Sequence, residues 1–209
     1  MNYSQHQIEK YLEERFKRPG IFLEIGCWDG ELISQTAWLE REKGWSGVCV
    51  DPFPINFEKR KCTLVKKAIS RNGEPRRFTK VSTDRRYGGD VSYFSGFTDK
   101  LLTHLALIQE HCNFEIVNVK TITFDLLILQ YGLPTYIDFL SVDTEGSELE
   151  IFENIDFSSY FFGMIVFEHN ENEQIRQGIG NILVSNGYRL LKELRCDDIY
   201  VSNNESQKE

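Results

Sequence analysis

Glu24, Gly26 and Gly30 lie in the stretch FLEIGCWDG, and Asp51 closes a second apolar run in GVCVDPFP. A glycine at the end of a strand lets the chain turn with no Cβ in the way, so a ligand can approach the backbone closely. Gly30 would relieve crowding where a following helix meets the sheet. A carboxylate at the end of the next strand can accept hydrogen bonds from both hydroxyls of a ribose, and together these positions point to a nucleoside. The spacing is ExGxxxG, not the GxGxxG that seats a pyrophosphate on a helix N-terminus, which disfavours a nicotinamide oxidoreductase. Glu24 offers an anion to a cationic ligand. A methionine-bearing sulfonium nucleoside has an ammonium group, a ribose and no phosphate, and it meets these requirements. The competing reading is a structural turn with solvent-facing acids.

A second constellation follows. YIDFLSVDTEGSELE is an apolar strand that breaks into an acidic turn at Asp143 and Glu145, and GMIVFEHN is another strand ending in Glu168, His169 and Asn170. His169 is the expected general base, because an unperturbed imidazole titrates near neutrality. Asp143 with Glu168 or Asn170 would alternatively supply oxygen ligands for magnesium or manganese, which would lower the pKa of an acceptor hydroxyl. The plainest reading makes Asp143 and Glu145 caps of the following helix. Tyr87, Tyr93, Phe94 and Phe97 lie among glycines in the stretch from Asp84 to Phe97. Their aromatic faces suit the C–H faces of a sugar and the glycines suit a closing lid, with core packing as the alternative for each ring. His6, His104 and His111 fall on expected helices and receive no role.

These side chains need elements to position them. Ile8, Leu12 and Phe16 make one stripe of a helix that Pro19-Gly20 ends. Strand Ile21 to Ile25, helix Glu31 to Lys43 and strand Gly47 to Val50 form a strand–helix–strand unit, which favours a parallel pair. A short helix is expected at Asn56 to Lys61, a third strand at Leu64 to Ile69, an edge strand at Glu74 to Val81, a long loop at Ser82 to Thr98 and a helix at Asp99 to Glu110. Alternation then resumes with strand Glu115 to Val119, helix Phe124 to Tyr131, strand Tyr136 to Val142, a helix from Ser147, strand Gly163 to Glu168, helix Glu171 to Ser185 and closing strands Tyr188 to Leu194 and Asp198 to Val201. The pattern predicts a doubly wound α/β sheet with helices on both faces, in one domain spanning 1–209, with an N-terminal helix within 1–20 and a polar tail at 203–209.

The 209 residues, 41% hydrophobic and 27% charged, suit a globular domain and exclude global disorder. No apolar run reaches the length of a membrane span and the N-terminus lacks an apolar signal core, so the expectation is a cytoplasmic protein. Five scattered cysteines without a CxxC pair suit neither a disulfide framework nor a zinc ribbon. The sequon Asn204-Glu205-Ser206 sits in the polar tail and is discounted. A net charge of -8 argues against a nucleic-acid partner. Eleven Lys or Arg against three acids nevertheless concentrate between Glu58 and Arg86. That segment reads either as a solvated sheet edge guarded by charge or as a patch for an anionic acceptor.

The stretches FLEIGCWDGELISQT, GWSGVCVDPFP, KKAISRNGEPRRF, IDFLSVDTEGSELEIFENIDF, IVFEHN, GYRLL and DDIYV occur in that order, and through them the chain resembles the FkbM-like S-adenosylmethionine-dependent methyltransferases. The resemblance implies a class I methyltransferase (Rossmann-like) fold of seven strands with the last antiparallel, and O-methylation, commonly of a sugar or natural-product hydroxyl. It would place Glu24, Gly26 and Gly30 along the methionine portion of the donor, Asp51 and the adjoining Pro52 at the ribose, and Ala68 with Ile69 at the adenine edge. Cys27 and Trp28 occupy turn positions where the family more often has small or amide residues. The resulting expectation is an S-adenosylmethionine-dependent O-methyltransferase of a sugar or glycan hydroxyl, deoxysugars included. The alternatives are transfer to a non-sugar natural-product hydroxyl and a catalytically silent donor-binding module.

Overall fold

The computed structural model describes residue 4 and residues 8–101 and 104–203. Its elements run α1 (Glu9–Arg15), β1 (Ile21–Ile25), α2 (Ala37–Lys43), β2 (Ser46–Val50), β3 (Thr63–Val65), β4 (Ala68–Ile69), β5 (Arg76–Asp84), β6 (Gly96–Phe97) and α3 (Leu105–His111). They continue with β7 (Cys112–Val119), β8 (Thr121–Ile122), α4 (Phe124–Tyr131), β9 (Tyr136–Val142), α5 (Glu148–Glu153), β10 (Phe161–Glu168), α6 (Glu173–Ser185), β11 (Tyr188–Glu193) and β12 (Asp197–Ser202). Seven strands form the main sheet in the order β11-β12-β10-β9-β1-β2-β3. The pairs from β10 to β3 are parallel, whereas β12 runs antiparallel to both β10 and β11.

Strand alternation divides the core. Leu23 and Ile25 of β1 join Val48, Val50, Leu140 and Val142 in one cluster with Leu127 of α4, Ile151 of α5 and Leu183 of α6. Phe22, one residue out of phase, joins Cys49, Phe139, Met164 and Val166 with Leu12 of α1 and Leu39 of α2. Each fully buried Leu, Ile or Phe contributes about 1.5–3 kcal/mol by leaving water. This holds the carboxyl ends of β2, β1, β9 and β10 side by side.

The largest departure from the sequence expectation lies in the middle of the chain. The third strand breaks in two: β3 stays in the main sheet, while β4 pairs in parallel with β8. The stretch expected as an edge strand is β5, the centre of a separate antiparallel sheet ordered β6-β5-β7. The expected loop is correspondingly shorter, since β5 runs to Asp84 and a 3-10 turn at Ser92–Phe94 leads into β6. Asn56 takes a positive φ of 56°, and the stretch expected as a short helix is a series of turns. Four of the basic residues of this region are paired: Arg76 binds Asp99 and Glu150, Lys80 binds Glu115, Arg86 binds Asp84, and buried Arg60 lies 3.3 Å from Glu40.

His6, most of the N-terminal seven residues, residues 102 and 103 of the expected helix from Asp99, and the tail with its sequon lie outside the described residues. Among the described residues, no helix is long and apolar enough to cross a membrane.

Candidate functional site

A cavity of about 460 Å³ opens beyond the carboxyl ends of the parallel strands. Strand order sets the sequence of its floor: Glu168 ends β10, Asp143 follows β9, Gly26 follows β1, and Asp51 follows β2. The cavity also reaches Ala68 and Ile69 of β4, Pro52, and the turn residues Cys27 and Trp28.

Gly26 is indispensable to this floor. Its φ is +83°, its N–H donates to Val50 O at 2.8 Å, and a Cβ there would lie 1.5 Å from the carbonyl oxygen of Asp143. No side chain fits, so the turns after β1 and β9 lie in backbone contact. Asp51 accepts from the Trp28 N–H at 3.0 Å and from the Phe53 N–H at 2.7 Å. Burial pushes its carboxyl up to about 6, while these two N–H groups pull the other way. Burial likewise pushes the Cys27 thiol up to about 12, so Cys27 lines the cavity as a neutral group.

Two sequence expectations change here. Glu24 is only 2% exposed, and its carboxylate accepts from Ser34 Oγ at 3.3 Å, the Gln35 N–H at 2.8 Å, Thr36 Oγ1 and Cys49 Sγ at 3.4 Å. Glu24 lines the cavity while these internal bonds make it fix residues 34–36. The same bonds explain why the helix expected from Glu31 starts only at Ala37. Gly30 is not among the described residues lining the cavity; a Cβ there would meet Asn56 O at 2.8 Å and the Phe57 ring at 3.0 Å. Its small size serves packing against that turn.

At the other end of the floor, Asp143, Glu145 and Glu168 bring carboxylate oxygens within 4.8 Å of one another. Burial first, then repulsion from Glu145, raises Asp143 well above the usual carboxylate range, while its hydrogen bond with Glu168 works to lower it. Burial and the negative charge of Asp143 raise Glu168 too. Like charges this close do not both ionise, so the Asp143–Glu168 pair retains a proton at neutral pH. Neither Asp143 nor Glu145 caps α5. Glu148, the first residue of that helix, reaches back instead to the Thr144 N–H at 2.7 Å and the Gly146 N–H at 3.0 Å.

Asn170 Nδ2 donates to Glu168 at 2.7 Å and to Glu145 at 3.2 Å. It turns its amide N–H groups to these acids and lines the cavity beside them, with Glu145 a further oxygen donor in the cluster. Glu145 and Asn170 both sit in the left-handed region, at φ +58° and +48°. Non-glycine residues held there cost of order 1–3 kcal/mol each and gather at functional sites.

His169 does not face this cluster. It is 3% exposed and is not among the described residues lining the cavity. Its Nδ1 accepts from the Glu171 N–H at 3.2 Å, and its Nε2 points to Asp198 at 3.8 Å. Burial pushes its pKa below the ordinary imidazole range despite Asp198. A base must reach the acceptor proton, and this imidazole is turned to the opposite side of the strand end. The histidine beside the cluster is His104, with Nε2 3.2 Å from Glu145 Oε2 and its pKa raised by that carboxylate. No motif in the sequence marks it.

Aromatic residues form the opposite wall. Trp28 Nε1 donates to Ser92 Oγ at 2.8 Å, its ring meets Tyr93 edge-on at 5.4 Å, and Tyr93 leads to Phe94 at 4.4 Å. Phe97 is buried against Phe78 and lines the cavity. Tyr87 stands apart: it is 82% exposed, lies under the Arg86 guanidinium, and is not among the described lining residues. Phe53, Lys67, Lys80 and Cys196 also line the cavity; the two lysines belong to the basic segment between Glu58 and Arg86, whereas no pattern marks Phe53 or Cys196.

A family model described as the methyltransferase FkbM domain matches residues 24–190, from Glu24 through the acidic cluster into β11. Comparison with curated proteins finds no match.

Proposed function

The chain belongs to the methyltransferase FkbM family, and on that premise we propose that it transfers a methyl group from S-adenosylmethionine to a hydroxyl of a sugar or glycan, deoxysugars included. We read the fold as the class I methyltransferase arrangement, doubly wound with helices on both faces. The observation that carries the reading is the single cavity joining Asp51, at the end of β2, to the carboxyl cluster at the ends of β9 and β10. A ribose carboxylate and a proton acceptor then share one space.

The donor supplies an electrophilic methyl group whose leaving group is a neutral thioether that needs no protein assistance, so the chain's task is to orient and to deprotonate. Asp51, when ionised, accepts from the ribose hydroxyls. Gly26 lets the backbone approach the donor, and Ala68 with Ile69 packs the adenine. Glu24 contributes through residues 34–36. On the acceptor side the best-placed base is Glu145, braced by His104 and by Asn170, each at 3.2 Å. The proton held between Asp143 and Glu168 limits the charge those two bring to the site. Tyr93, Phe94 and Phe97 offer ring faces to a saccharide.

The convergence of three carboxylates within 4.8 Å supports a second form of the reading, in which a magnesium or manganese ion binds Asp143, Glu145 and Glu168. Such an ion would supply positive charge that lowers the acceptor's pKa.

Incubation with isotope-labelled donor and a panel of saccharides and natural-product hydroxyls, with products read by mass spectrometry, tests both forms. A labelled O-methyl group on a saccharide is expected. Transfer confined to non-sugar hydroxyls would replace the acceptor class, and donor binding without any turnover would leave a silent binding module. Full activity in a strong chelator would remove the cation.

A further inference from the structure

Cys49, near the end of β2, and Cys62, just ahead of β3, are free thiols at adjacent strands, and their Sγ atoms stand 3.5 Å apart. We propose that this pair is a site of oxidative modification, closing to an intramolecular disulfide under a peroxide and thereby disturbing the donor half of the cavity. Contraction to the roughly 2.05 Å of a disulfide asks about 1.5 Å of sulfur movement, within reach of side-chain rotation and a small strand shift.

Cys62 is partly exposed whereas Cys49 is fully buried, so a peroxide meets Cys62 first. The Cys62 thiolate attacks one peroxide oxygen and the O–O bond breaks, leaving a sulfenic acid on Cys62 and, after proton uptake, one water. The Cys49 sulfur then attacks the Cys62 sulfur. The S–S bond forms, the S–O bond breaks, and hydroxide leaves as a second water with the thiol proton of Cys49. Two thiols lose two electrons to one peroxide. The Arg60 guanidinium, 3.6 Å from Cys49 Sγ, supplies the positive charge that favours the attacking thiolate. Burial and a hydrogen bond with Cys27 raise Cys49, and the hydrogen bond with Cys49 together with burial raises Cys62, so sustained exposure to oxidant is required.

The link to the cavity is direct. Cys49 Sγ donates to Glu24 Oε2 at 3.4 Å, and Glu24 holds residues 34–36. Cys27, which lines the cavity, is itself hydrogen-bonded to Cys49. Disulfide formation removes the Cys49 S–H from Glu24 and draws its sulfur away from Cys27.

Trypsin separates the two cysteines, leaving Cys49 in segment 44–59 and Cys62 in segment 62–66. After peroxide treatment, thiol capping and digestion without reductant, the expected product is these two segments joined, lighter by two hydrogens than their sum and split by reductant. This arm needs no variant and no assumption about the donor. The second arm rests on the S-adenosylmethionine reading: affinity for S-adenosylhomocysteine should fall roughly threefold or more on oxidation, the size of one lost hydrogen bond, and recover with reductant. Cys62→Ser should be insensitive to peroxide. Recovery of both segments singly capped would overturn the site. A cross-link with unchanged affinity, or an equal loss in Cys62→Ser, would overturn its coupling to the donor half. Absence of any binding by the untreated protein would count against the donor reading alone.

Discussion

Asp51 would meet a ribose with a carboxyl whose own ionisation is in play. With its pKa pushed up to about 6, it is an anion at neutral pH and increasingly a neutral acid below that value. Asp51→Ala should weaken S-adenosylmethionine and its demethylated product alike by about 1.5–3 kcal/mol, the range for hydrogen bonds to a charged group. Wild-type affinity should be flat above the folded pKa and fall as the pH drops through it, whereas Asp51→Asn should lose that dependence; calorimetry across the range separates the two. Glu24 behaves differently because its bonds are internal. Glu24→Gln turns N–H groups toward existing donors, so it should cost about 1–3 kcal/mol of folding stability in urea titrations, with a smaller loss of donor affinity. Both acids were visible in the sequence, since Asp51 closes one apolar run and Glu24 interrupts another just before its glycine. Their different jobs were not, because saturation of Glu24 depends on Ser34, Thr36 and Cys49 arriving from elsewhere. The turning of His169 away was not readable, because it lies one residue beyond β10, where its N–H is tied to Cys196 O and the next residue, Asn170, enters the left-handed region.

At the level of elements, β1, β2, β9 and β10 follow from short apolar runs ending in Gly, Asp or Glu, and the structure keeps those limits closely. Where the reading failed, a tertiary partner was deciding. The helix expected from Glu31 waits until Ala37 because residues 34–36 are tied to Glu24. The expected loop after Val81 is partly strand because β7, more than thirty residues later, pairs along Arg76 to Asp84. Pattern within a window cannot register such a partner. The 3-10 turn Ser92–Phe94 is fastened to the turn after β1 by Trp28. Tyr93→Ala should therefore raise the acceptor KM by up to roughly tenfold, the value of about one aromatic contact, while Tyr87→Ala, on an exposed ring, should leave both substrates unaffected. Steady-state kinetics on the two variants checks the assignment of the wall.

For the whole molecule, the buried acids set an unusual pH balance. Asp51 is raised to about 6 and Asp197 to about 7 from a usual 3.8, and burial raises Asp143, Glu148 and Glu168 as well. A carboxyl whose folded pKa is raised favours the native state below its unfolded value, and that contribution is lost as the pH climbs through the folded one. The ion-paired acids Glu40, Asp99 and Glu150 are lowered; their contribution is present above the unfolded value and disappears as the pH falls. Thermal stability should consequently peak on the acid side of neutrality. Asp143→Asn should lessen the decline toward alkaline pH, at about 2–4 °C per kcal/mol for a domain of this size; melting curves from acid to alkaline pH would show it. The pairing of β4 with β8 carries a different consequence. Ala68 lies opposite Thr121, so the chain leaves the main body after Ile69 and returns almost where it left. The intervening β5, β6 and β7 form a cassette with a common doorway, carrying Phe78, Tyr93 and Phe97 while Gly26, Asp51 and Asp143 stay on the chassis. A replacement cassette of different length, joined at the same two points, would change what the cavity admits while the main sheet keeps its strands, because loop-closure cost grows only slowly with length.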